Sequence, residues 1–192
     1  VISGFLSFDE GSILIGKNNL VRLLPHEGPV YGITRTFQEV RLFEQMTVID
    51  NILVVLTERS VFSSIFERHQ QSHLEKSREV LTRVGLLGKK EELASSLSYG
   101  QRKLLEVARA LAMDTKIILF DEPFAGLFPE MIKIVTSLIQ ELKTADKTII
   151  LIEHSMDLIR QLSDHVFVLD SGQLLAEGRA DEVLSKPEVI EA

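Results

Sequence analysis

The stretch IILFDEP, Ile117 to Pro123, runs four apolar residues directly into two adjacent carboxylates, Asp121 and Glu122. A strand that is apolar throughout is one buried on both faces, as in a parallel sheet. Open α/β sheets place their ligands at the carboxyl ends of such strands. The pattern therefore predicts a buried strand that presents Asp121 and Glu122 to a ligand, although an acidic loop capping a strand would read the same way. The chain around it agrees with a sheet. From Lys116 onward strand and helix alternate: KIILF, an apolar-striped helix from Pro129 to about Lys143, TIILI at Thr148–Ile152, and a helix from Ser155 to about Leu162. Two short strands, HVFVLD and QLLAE, then flank a Ser171-Gly172 turn, followed by a short helix near Asp181–Leu184 and a tail after Pro187. The fold class expected is α/β, a mostly parallel sheet flanked by helices with antiparallel strands at its edges.

Upstream the pattern changes. Residues 47–112 carry no convincing strand, and three helix starts fit the capping-box spacing: Thr47 with Asp50, Ser72 with Glu75, and Ser98 with Gln101. The last opens LSYGQRKLLEVARAL, a helix with Leu104, Ala108 and Leu111 on one face. Gly100 in its first turn costs helix stability. A glycine there makes sense where something must approach the backbone closely, and a helix N-terminus favours an anion. Residues 1–40 read as short strands and loops, opening with VISGFL, which looks like a helix end closed by Gly4.

One stretch there imitates a phosphate-binding loop. GSILIGKN, Gly11 to Asn18, has the glycine spacing and Lys17 in the lysine slot. Its interior of Ser12, Ile13, Leu14 and Ile15 favours extended backbone, and Asn18, Asn19, Pro25 and Pro29 read as turn and loop where a helix should start. Asn18 also lacks the hydroxyl that would serve magnesium. The expectation is an edge strand with a turn.

Composition narrows the class further. The 192 residues are 45% hydrophobic and 26% charged, ordinary for a globular chain. Lys and Arg number 21 against 28 Asp and Glu, a net charge of −7 with no dense basic run, so a nucleic-acid partner is not expected. The absence of cysteine excludes disulfides and thiolate metal sites. No apolar run reaches the roughly 18 residues that a membrane span needs.

Taken for their chemistry, Asp121 suits magnesium held through its water shell and Glu122 suits polarisation of an attacking water, the Walker B arrangement. Other pieces agree in order and place. LSYGQ, just before this strand, resembles the LSGGQ signature of ABC-transporter ATPases; Gln38 in RTFQ resembles the Q-loop, His154 in LIEH the switch histidine, and AGLFPE the D-loop. RTFQEVRLFEQMTVIDNILV and DEPFAGL bring the chain nearest to the ATP-binding subunits of branched-chain amino-acid importers. Urea and amide importers stand close by, and lipopolysaccharide-export ATPases share DEPFAG but fit RTFQ less well.

The resemblance implies one nucleotide-binding domain over residues 1–192, with a helical signature subdomain at 47–112. It implies ATP and Mg2+, with Asp121 and Gln38 serving the metal, Glu122 orienting the water and His154 stabilising charge. Ser98, Tyr99, Gly100 and Gln101 would meet a nucleotide held by a second ATPase subunit, in a homo- or heterodimer. Membrane permease subunits and, indirectly, a solute-binding protein would be the other partners, at the cytoplasmic face of the plasma membrane.

In that family the phosphate loop precedes the helix that VISGF would end. It is therefore expected upstream of Val1, and the 192 residues alone should bind ATP poorly. The rival readings are a non-catalytic interaction module and an ABC ATPase of DNA repair, the latter disfavoured by the acidic charge and the lack of a coiled-coil insertion. Phe128 departs from the family's usual Asp or Asn. It is expected either to pack on the partner subunit or its own Pro129 turn, or to cover the core under the following helix.

Overall fold

The computed structural model describes residues 2–57 and 67–191. The chain divides into two compact units, Val1–Ile150 and Leu151–Ala192.

The first unit opens with a hairpin of β1 (Ile13–Ile15) and β2 (Asn18–Leu20), antiparallel with Ile13 opposite Leu20 and Ile15 opposite Asn18. Gly16 turns the chain at a φ of 58°. GSILIGKN is thus strand and turn, as its β-branched interior dictates. A 3-10 helix at Pro25–Tyr31 follows and is stopped by Gly32 in the left-handed region. It leads into β3 (Ile33–Arg35), which pairs parallel with β4 (Ile117–Asp121), setting Ile33 opposite Ile117 and Arg35 opposite Leu119. With β5 (Thr148–Ile152) the strand order is β3-β4-β5, so the IILFD strand lies at the centre. Ile118 and Phe120 are buried there.

The long connection from β3 to β4 carries α1 (Val48–Leu56), α2 (Glu67–Arg83) and α3 (Tyr99–Ala112), which pack on one another. Among the described residues of 47–112 there is no strand, only a single bridge between Thr47 and Leu93. Thr47 caps α1 by accepting the Asp50 N–H at 3.2 Å. Ser98 and Gln101 close a reciprocal box on α3, at 3.3 and 3.1 Å. The start expected at Ser72 is corrected: Ser72 lies inside α2, which already runs from Glu67. The S-x-x-E spacing that marks a box also fits an interior i,i+3 pair, and the Glu, Arg and Gln residues upstream carry the helix through. Beyond β4, α4 (Pro129–Thr144) takes Phe128 as its N-cap residue, without a side-chain cap.

The second unit holds α5 (Met156–Leu162), which Ser155 caps, and the hairpin of β6 (Val166–Asp170) and β7 (Gln173–Gly178). Ser171 and Gly172 both take positive φ, 49° and 80°, as a two-residue turn matched to strand twist requires. Val166, Ala176, Ala180 and Val183 form the small core of this unit. The helix expected near Asp181 is α6 (Ala180–Val183). The tail expected after Pro187 is corrected: Pro187–Glu191 forms a helical turn, α7, for which proline's fixed φ at the first position is already suited. No helix among the described residues is long and apolar enough to cross a membrane.

Candidate active site at the end of the central strand

β4 delivers Asp121 as its last residue and Glu122 as the first beyond it. Glu122 adopts a φ of 46°, left-handed for a non-glycine residue. Such a conformation costs about 1–2 kcal/mol. Strain of this kind tends to persist where the surrounding structure holds a functional turn in place.

The Gln38 amide Nε2 donates to Glu122 Oε1 at 3.2 Å, joining residues that are far apart in sequence. Gln38 reaches this point because parallel pairing with β4 carries the end of β3 alongside it. The register continues past the strand, where the Thr36 N–H donates to Leu119 O at 2.9 Å and the Asp121 N–H to Thr36 Oγ1 at 3.2 Å.

Asp121 is engaged as well. Arg35 Nη2 donates to its Oδ2 at 2.7 Å, while Arg35 Nη1 donates to Ser3 Oγ at 2.7 Å. The guanidinium lies 5.3 Å from the Phe37 ring centre and 5.8 Å from that of Phe5, and the two rings meet edge to face at 5.4 Å. Cation–π contact of this kind holds an arginine in place while leaving its fork for a carboxylate. Arg41 lies over Phe37 on the same cluster, at 4.2 Å.

The loop that carries Gln38 has neither helix nor strand to satisfy its backbone, and α3 supplies the partners instead. Lys103 Nζ donates to Phe37 O at 3.1 Å and to Gln38 O at 2.8 Å. Glu106 Oε1 accepts the Phe37 N–H at 3.0 Å, and Arg109 donates to Arg41 O while lying over Phe43. Lys103 and Glu106 are both buried, at 1% and 5% exposure. Burial pushes the Glu106 carboxyl above its ordinary value of 4.5, opposed by the Phe37 N–H and the Lys103 and Arg109 charges. Burial likewise lowers Arg109, opposed by Glu106.

At the start of α3, the close approach that Gly100 permits is taken up within the chain. A Cβ there would meet Met131 Sδ at 2.6 Å and Leu127 Cδ2 at 3.6 Å. Tyr99 lies on Gly126, whose Cβ would meet the ring at 2.8 Å. The LSYGQ turn therefore rests on the AGLFPE loop and the first turn of α4.

The structure brings Gln38 and Glu122 together, sets Asp121 beside them through Arg35 and Thr36, and makes Ser98, Tyr99, Gly100 and Gln101 one capped turn. His154 belongs to the second unit, two residues past β5, where its N–H donates to Glu153 Oε2 at 3.2 Å. Sequence reasoning missed Arg35, Lys103, Glu106 and Arg109. Arg35 stood within the RTFQ stretch as a signal, whereas nothing in the pattern of α3 singles out its charges.

Among the described residues no group of three or more His, Asp or Glu side chains could hold a metal by itself. What is present fits magnesium's habit of keeping several waters and using one or two carboxylates together with substrate phosphates.

A model of the ABC transporter family matches residues 1–125. The chain is 38% identical over 200 residues to the high-affinity branched-chain amino acid transport ATP-binding protein LivG of Escherichia coli (strain K12), covering all of this chain and 78% of that protein. It is 36% identical over 201 residues to a probable branched-chain amino acid transport ATP-binding protein LivG of Methanocaldococcus jannaschii, again over 78% of that protein. The crystal structure of a nucleotide-free ATP-binding cassette from an ABC transporter superposes with a TM-score of 0.83 at 35% identity, over all of this chain and 79% of that one. An ATP-binding cassette of an ABC transporter in its ADP conformation gives 0.82 at 35% identity.

An α/β sheet with paired carboxylates at its central strand and a capped signature helix defines a nucleotide-binding ATPase. The chain belongs to the ABC transporter family, as one of the ATP-binding cassettes that power transport.

Proposed function

We propose that this chain acts as the ATP-binding and ATP-hydrolysing subunit of a branched-chain amino-acid importer, with residues 47–112 as its signature subdomain. The contact of Gln38 with Glu122 at 3.2 Å, at the end of β4, carries the reading. In-line attack of water on the γ-phosphorus breaks the bond to the ADP leaving oxygen and yields ADP and inorganic phosphate. Little of this chemistry is covalent work for the protein, so positioning and charge dominate.

Glu122 orients and polarises the water, and Gln38 donates its amide to the Glu122 carboxylate. Asp121 and Gln38 would hold magnesium, which supplies charge neutralisation on the phosphates when bound. His154 is assigned to the developing charge of the γ-phosphoryl group. Ser98, Tyr99, Gly100 and Gln101 present a helix N-terminus to the nucleotide of a second ATPase subunit. The subunit sits at the cytoplasmic face of the membrane on its permease partners. The solute assignment follows the names of the relatives.

In the intact subunit Glu122→Gln is expected to retain ATP binding and to lose turnover by about 10²–10⁴-fold, the range for a positioned acid–base group. Nucleotide binding by calorimetry and phosphate release by a coupled assay measure the two. Turnover within a few-fold of the parent would remove Glu122 from the reaction. With permease and binding protein reconstituted, hydrolysis should rise on adding leucine, isoleucine or valine.

A further inference from the structure

The charges of α3, Lys103 and Glu106 buried and Arg109 partly so, have no part in the chemistry above, yet all three address one loop. Removing a cation from water costs several kcal/mol unless its partners repay it. Lys103 is 1% exposed and its ammonium is spent on the carbonyls of Phe37 and Gln38, at 3.1 and 2.8 Å. Glu106 takes the Phe37 N–H and also faces the Arg41 backbone, and Arg109 takes the Arg41 carbonyl. Every one of these partners is main chain, so the contacts fix where the loop runs whatever its side chains are.

The loop places the Gln38 amide 3.2 Å from Glu122. The three donors and acceptors sit on a single rigid helix whose first turn is the LSYGQ box.

We propose that Lys103, Glu106 and Arg109 are positioning residues: they hold the 37–41 backbone so that Gln38 reaches Glu122. This rests on the roles given above to Gln38 and Glu122.

A double-mutant cycle in the intact subunit tests it, with kcat and KM for Mg-ATP read in single and multiple turnover so that slow variants are still measured. Lys103→Met keeps the apolar stem and removes the ammonium. It is expected to lower kcat by about 10-fold or more with KM within about 2-fold, and to cost less than about 2-fold when Gln38 is already Ala, because residues acting as a unit are not additive. Equal losses in both backgrounds, or no loss in either, overturn the proposal in favour of a purely structural lysine. Should Lys103→Met fail to fold, Arg109→Met enters the same cycle. It keeps an apolar stem and removes the donor to the Arg41 carbonyl, and the same outcomes decide. Glu122→Gln is the control: if that variant keeps its turnover, the functional reading fails. If it is inactive while Lys103→Met shows no coupling to Gln38, only the positioning role fails.

Discussion

Single side chains show both the reach and the limit of the sequence. Leu104, Ala108 and Leu111 read as a core face and are buried. Lys103 and Glu106 carry charges, which are nearly always exposed, and no sequence pattern marks them as exceptions. They are buried because a loop without secondary structure needs partners for its own amides, which no local pattern announces. Phe128 shows the converse. An apolar residue in a polar slot allowed a core-covering role, yet it is 67% exposed and heads α4 without a side-chain cap. Phe128→Asn therefore removes no buried contact and adds a side-chain acceptor at the N-cap of α4. The expected result is a gain of about 0.5–2 kcal/mol in thermal or denaturant unfolding. A loss of about 2–4 kcal/mol, the cost of emptying a core site, would return Phe128 to the interior. ATP-driven dimerisation, followed alongside, reports whether the exposed ring packs on a partner.

Elements were legible wherever a cap and a period coincided. Thr47 and Ser98 each head the helix their spacing announces, whereas Ser72 has the same spacing inside α2. A capping box is a statement about an end, and sequence alone does not say whether the residues before it have already turned helical. How elements touch was less legible. Gly100 suggested a close approach, but only the fold shows that Met131 makes it and that Tyr99 covers Gly126 in the same contact. Gly126 has a φ of 70°, and a Cβ added there would lie 2.8 Å from the Tyr99 ring. Gly126→Ala is expected to destabilise by about 1–2 kcal/mol from the left-handed backbone alone, with more from the ring. Combining it with Tyr99→Ala should recover the steric share and leave the backbone share. Full additivity of the two changes in chemical denaturation would show that ring and glycine do not meet.

At the scale of the whole molecule, the alternation of apolar strands and amphipathic helices was enough for an α/β sheet, because each element must bury its apolar face on a neighbour. The division into two units was not legible, since it falls after Ile150, inside the uninterrupted run TIILI. The units differ in how far they satisfy themselves. The first buries Leu104, Leu105, Val107, Ile118, Phe120, Val135 and Ile139. The core of the second is Val166, Ala176, Ala180 and Val183, two of them alanines, with Phe167, Leu169, Leu174 and Ile190 left exposed. Chains near about 40 residues seldom bury enough apolar surface to repay their conformational entropy without disulfides or metals. Leu151–Ala192 is of that size and has no cysteine. Its β6–β7 hairpin, with the Ser171-Gly172 turn, is the most locally specified part, yet an isolated hairpin is marginal in water. A peptide of residues 151–192 is therefore expected to show little helix or strand by circular dichroism and no cooperative melt. A sigmoidal thermal transition in that peptide would mean that the four-residue core suffices, and that the second unit is a folding unit in its own right.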